Sequence, residues 1–123
     1  MTTAALVRTL LGATLLAAPL PAQEAPAKVG FIYVGPIGDA GWTYQHDLAR
    51  KQMEAAFKGK VVTQVVENVA EGPDAERVIR SMAQGGARII FATSFGYMNP
   101  VLAVARQHPD VVFLHATGYK TAP

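Results

Sequence analysis

The 123-residue chain carries 11 lysines and arginines against 9 aspartates and glutamates, a net charge of +2, with half its residues hydrophobic and 16% charged. That balance fits one globular domain and excludes a disordered tail or a strongly basic nucleic-acid binder. There is no cysteine, so disulfides, thiolate chemistry and cysteine-based metal sites are excluded, and His46, His108 and His115 form no ligand-spaced pair for a metal.

Residues 1–22 read as a cleaved secretory signal peptide. Arg8 supplies the positive region, Leu10 to Ala18 is apolar but too short to span a bilayer, and Leu20-Pro-Ala22 offers small-residue cleavage before Gln23. No cysteine follows for lipid attachment, so a periplasmic product without a lipid anchor is expected. Without Arg8, ten basic residues face nine acidic ones. Residues 23–27 are a Pro/Ala/Glu-rich leader.

Four apolar runs rich in β-formers follow: Val29 to Val34, Val61 to Val66, Arg88 to Thr93 and Val111 to His115. Near-continuous hydrophobic strands are what a parallel sheet covered on both faces requires. Helical periods fall between them. Leu48, Ala49, Met53, Ala56 and Phe57 predict the inward stripe of a first helix, and Ala75, Val78, Ile79, Met82 and Ala83 that of a second. The second helix opens at Pro73 and stops at Gly85-Gly86, the usual proline start and glycine stop. A third opens at Asn99-Pro100 and ends near His108, because Pro109 follows. The order β-α-β-α-β-α-β predicts an α/β fold, a Rossmann-like parallel sheet with helices on both faces. Four strands ending on a strand leave an uncovered edge, so the lobe is expected to be incomplete.

Three glycine-bearing aromatic turns leave these strands: Gly35 to Trp42, Thr93 to Met98 and His115 to Lys120. Open parallel sheets bind ligands beyond the carboxyl ends of their strands. Glycine lets a backbone approach a bound group, and flat rings offer stacking faces. Trp42, the only tryptophan, is the leading stacking candidate, with Asp39, Ser94, Phe95, Tyr97 and Gly118 around it. Phe95 and Tyr97 straddle Gly96, so one is expected to face the crevice while the other packs. Glu67 and Asn68 are expected to form a turn, and His115 to be a satisfied core histidine. His46 and Asp47 point to different sides of a helix and form no catalytic pair.

The KVGFIYVGPIGDAGWTYQHD start, the VENVAEGPDAERVIR middle and the TSFGYM and HATGYK turns, in that order, resemble the basic membrane protein family. These are periplasmic substrate-binding proteins of ABC importers and include purine-nucleoside binders. The resemblance covers residues 28–120 and implies a two-lobed protein closing on its ligand, with residues 28–123 as part of the amino-terminal lobe. It implies a small-molecule ligand, an ABC permease in the inner membrane as partner, and neither a cofactor nor a catalytic residue. It also implies a purine stacked on Trp42, with Asp39 shaping the turn or touching the ligand and Ser94 to Tyr97 lining the cleft. Nucleoside binders commonly place an aspartate after the fourth strand, where this chain has Ala116-Thr-Gly-Tyr119. That departure favours a free base, adenine first, over a nucleoside.

Two other classes compete. An exported nucleoside-processing enzyme on the same fold needs clustered carboxylates at the strand ends, and only Asp39 and Glu67 are available there. A sugar-binding-like transcription regulator is opposed by the export signal and by the lack of a helix-turn-helix.

Overall fold

The computed structural model describes residues 24–122, so the expected signal peptide at 1–22 lies outside the described residues. Four strands, β1 (Ala27–Ile32), β2 (Val61–Val66), β3 (Ile89–Ala92) and β4 (Val112–His115), pair in parallel in the order β2-β1-β3-β4. Three helices join them: α1 (Trp42–Ala56), α2 (Pro73–Gln84) and α3 (Met98–Ala105). Val29 stands opposite both Thr63 and Ile89, and Ile89 opposite Val112. The first crossover runs toward β2 and the next two run the other way. Right-handed connections then put α1 on one face and α2 with α3 on the other.

The α2/α3 face holds the larger core: Ile32, Ala75, Ile79, Met82, Ile90, Ala92, Tyr97, Val101 and Val104 are buried together. Burying each large aliphatic side chain contributes about 1.5–3 kcal/mol. The predicted stripe of α2 is this inner face, with Ala75, Ile79, Met82 and Ala83 buried. Pro73 opens the helix, Asp74 and Glu76 complement its amino end, and Gly86 turns out of it at φ +87°. Gly30 lets α2 settle on the sheet: a Cβ there would meet Met82 Sδ at 2.8 Å.

On the other face Val29, Phe31 and Tyr33 alternate upward, and Phe31 stacks on Phe91 with ring centroids 4.8 Å apart. The stripe predicted for α1 is not its inner face. Leu48 is exposed and Phe57 is 53% exposed; Met53 alone of the five packs against the strands. The helix instead buries Thr43 and Asp47, with Arg50 and Glu54 half-buried beside them. The charged groups pair with one another and with Thr63 of β2: Arg50 Nε donates to Asp47 Oδ1 at 2.7 Å, Arg50 Nη1 donates to Thr63 Oγ1 at 2.7 Å, and Thr63 Oγ1 donates to Glu54 Oε1 at 3.1 Å. A buried face built from paired charges is invisible to hydrophobic periodicity.

Several boundaries move, and α3 ends at Ala105, three residues short of His108. β1 begins two residues before the predicted run and releases Val34 into the following turn, where it is exposed. α3 is entered through a 3-10 turn at Phe95–Tyr97, so Asn99 is no cap; its side chain accepts from Lys120 Nζ at 3.0 Å. Among the described residues, no helix is long and apolar enough to cross a membrane, and no group of three or more His, Asp or Glu side chains is placed to hold a metal.

Candidate functional site

The strand ends carry the three aromatic turns to one edge. Thr93 continues β3, donating its backbone N–H and its hydroxyl to Ile32 O, while Tyr33 extends β1 and bonds Val66 O. The turns that follow Tyr33, Thr93 and His115 therefore leave neighbouring strands at the carboxyl edge of the sheet.

The turn after β1 is organised by Asp39. Its Oδ1 accepts from Gly41 N at 2.8 Å and Tyr44 N at 3.1 Å, and its Oδ2 accepts from Thr43 N at 3.1 Å. The hydrogen bond from Gly41 first, with those from Tyr44 and Thr43, holds its carboxyl below the ordinary aspartate range against the opposing effect of burial. Asp39 thus caps α1 from two residues upstream, satisfying amides that the helix leaves orphaned. Glu67, beyond β2, braces the same turn by accepting from Ile37 N at 2.6 Å, and Asn68 turns the chain at φ +55°. Replacing Asp39 with alanine is expected to lower the melting temperature and to speed amide exchange at Thr43 and Tyr44, while Asp39→Asn keeps most of both. Unchanged exchange at those amides in the alanine variant would refute the cap.

Trp42, first residue of α1, reaches across to β3 and donates Nε1–H to Thr93 O at 2.6 Å. The residue stays 46% exposed, so the indole is pinned at its edge yet keeps open surface. His46 lies one turn along, its ring centroid 4.5 Å from the indole and tilted by 53°.

The turn after β3 divides its two rings. Phe95 is 57% exposed, with Tyr119 6.3 Å away, whereas Tyr97 is fully buried and donates its hydroxyl to Val69 O at 2.6 Å. Burial first, and Glu71 second, push the Tyr97 phenol well above its usual pKa. Tyr97, expected at the cleft wall, therefore anchors the β2–α2 loop and offers no open face. Ser94 is engaged as well. Its hydroxyl donates to Glu71 Oε1 at 2.5 Å, and the same oxygen accepts from Gly96 N at 3.1 Å. A Cβ at Gly96 would lie 2.1 Å from the Glu71 carboxyl carbon, so glycine there makes room for this latch. Glu71 escaped the sequence reading because its partners lie more than twenty residues on.

His115 is half-buried and donates Nε2–H to Ser94 O at 2.6 Å, while its buried Nδ1 has no partner. It is thus satisfied through one nitrogen only, unlike the core histidine expected. Gly118 folds over it: a Cβ there would fall 2.0 Å from Nδ1. The closeness that Gly118 permits is to this imidazole. The edge therefore assembles Trp42, Phe95, Ser94 and Gly118 around pinned turns, with Asp39 beneath the first of them and Tyr97 buried.

A four-stranded parallel lobe with half-open aromatic rings at its carboxyl edge and its carboxylates tied into turns has the build of a solute-binding lobe. Residues 27–123 match the family of PnrA-like ABC transporter substrate-binding proteins, also called Bmp, and the chain belongs to that family. It is 62% identical over 99 residues to a purine-binding protein of Brucella abortus (strain 2308), covering 80% of this chain and 28% of that protein. It is 42% identical over 101 residues to a putative ABC transporter glucose-binding protein of Haloferax volcanii, covering 82% of this chain and 25% of that one. The chain therefore spans about a quarter of the length of these curated relatives. A solved ABC transporter solute-binding protein from Conexibacter woesei superposes with a TM-score of 0.65 at 28% identity, covering 71% of this chain and 28% of that one.

Proposed function

We propose that this chain supplies one wall of a ligand cleft in an ABC importer's solute-binding protein, and that the ligand is a purine base or nucleoside, adenine first. The observation that carries this reading is the Trp42 indole, pinned through Nε1 and half-exposed at the strand exits. The identity to a purine-binding relative supports the ligand class. A flat heterocycle stacks on such a face with about 1–3 kcal/mol per base. Recognition without chemistry is supported by the acids of this edge. Asp39 has both oxygens engaged by backbone donors, and Glu67 and Glu71 brace neighbouring turns. A hydrolytic enzyme needs a carboxylate free to take a proton. In this reading the protein works in the periplasm after loss of residues 1–22 and delivers its ligand to a membrane permease.

The test is a graft in which this chain replaces the 99 matching residues of the Brucella abortus relative. Calorimetric titration with adenine, adenosine, guanine and glucose should give binding to purines and none to the hexose. Tight glucose binding with no purine signal would move the chain to the side of its Haloferax relative and defeat the proposal. Export of the chain in a bacterial host checks the location, since periplasmic material beginning at Met1 contradicts it.

A further inference from the structure

We propose that His46 is a positioning residue of this edge, covering one face of Trp42 so that a flat ligand lands on the other face only. The inference rests on the stacking role given to Trp42 above and adds a residue to it.

The geometry follows from the helix. Residues four apart are neighbours on its surface, and each Cα–Cβ bond tilts toward the amino end, so the side chain at 46 leans back over residue 42. Ring centroids 4.5 Å apart at 53° are too close for edge-to-edge contact between an indole and an imidazole; the two rings meet in a tilted contact. The imidazole is itself fixed, because Nδ1 donates its proton to Trp42 O at 2.8 Å. That bond sets the tautomer and holds the ring against rotation. On its far edge the indole is held by Thr93 O. Trp42 is therefore restrained by a carbonyl at Nε1 and by a ring against its side. A plate so restrained needs no ordering when a ligand stacks on it, which is where preorganised sites gain affinity. Asp47, next in sequence, turns inward to Arg50 and takes no part.

Because Trp42 is the only tryptophan, the 123-residue chain reports on this contact without any ligand. Acrylamide quenching of its fluorescence is expected to rise about twofold in His46→Ala, since removing the imidazole opens the side of the indole it contacts. His46→Asn, which keeps a donor for Trp42 O but no ring, should rise as much, and His46→Phe should stay at the wild-type value. Thermal melts by circular dichroism identify any variant that has lost its fold. Equal quenching in the alanine variant and the wild type, or failure of phenylalanine to restore protection, overturns the proposal. In the graft, His46→Ala should weaken adenine binding about three- to tenfold and His46→Phe much less, the difference one aromatic pair makes. If the wild-type graft ignores every purine, the purine reading fails while quenching still decides the role of His46. If adenine binds and the alanine variant binds it equally well, the positioning role fails alone.

Discussion

Trp42→Ala in the graft is expected to weaken adenine binding by about ten- to a hundredfold, the range that loss of one base–aromatic stack produces. The size follows from how the ring is held. Its Nε1–H is committed to Thr93 O, so the indole neither swings into the core nor follows the ligand. Truncation removes the stacking face and leaves the Thr93 carbonyl to water. Trp42→Phe keeps a π-face without the Nε1 donor and should fall between wild type and alanine. Phe95, more exposed and outside such a hydrogen bond, should cost less when truncated. Unchanged adenine affinity in Trp42→Ala would remove the tryptophan from the site. An equal loss in Phe95→Ala would shift the main stacking surface to the β3 turn.

The strands and the second helix were legible because their signals are local. Val61 to Val66 is β-branched at every position but Gln64, and it forms the predicted strand. Pro73 and Gly85 punctuate α2, and its apolar residues fall on one face. The first helix was misread because its inward face is Thr43, Asp47, Arg50 and Glu54, polar groups that become buriable only when Tyr33 and Thr63 arrive from other strands. The site was legible in part. That Trp42, Ser94 and Phe95 stand at strand exits follows from chain order and the rule for open parallel sheets. Which aromatic of Phe95 and Tyr97 faces inward did not follow, since a 3-10 turn of three residues has no period to read. Glu71 was out of reach for a different reason: it meets Ser94 and Gly96 only because the loop after β2 folds over the end of β1, with Val69 N bonding Tyr33 O.

The polar face of α1 connects stability to the site, and Asp47→Ala is expected to destabilise the fold by about 3 kcal/mol. The Asp47 side chain is only 1% exposed. Its Oδ1 accepts from Arg50 Nε at 2.7 Å and from the Tyr33 hydroxyl at 3.5 Å, and Lys51 Nζ lies 2.9 Å from its Oδ2. Removing it strands a largely buried guanidinium with Glu54 as its remaining acid and takes the acceptor from a fully buried phenol. That is the expensive case of a broken buried pair, and the figure is a large share of the roughly 5–15 kcal/mol typical of a domain. The pH dependence has a definite sign. Burial pushes the Asp47 carboxyl up, but hydrogen bonds and charge from Arg50 and Lys51 outweigh it and leave the folded value below the ordinary one. The stabilisation is therefore complete above the unfolded value, near 3.9, and is lost as the pH falls from there through the folded value. Asp39 shares this direction, so the variant keeps some acid sensitivity but less than the wild type. Urea unfolding of both proteins at neutral pH and near pH 3 measures the difference; equal stabilities at neutral pH, or an equal loss on acidification, would refute the assignment. Removing both charges in Asp47→Leu/Arg50→Met should recover most of the stability, because an apolar pair replaces a desolvated one. If that double variant is stable but Trp42 quenching by acrylamide rises, the ion pair is retained for the angle at which α1 presents its first turn to the cleft.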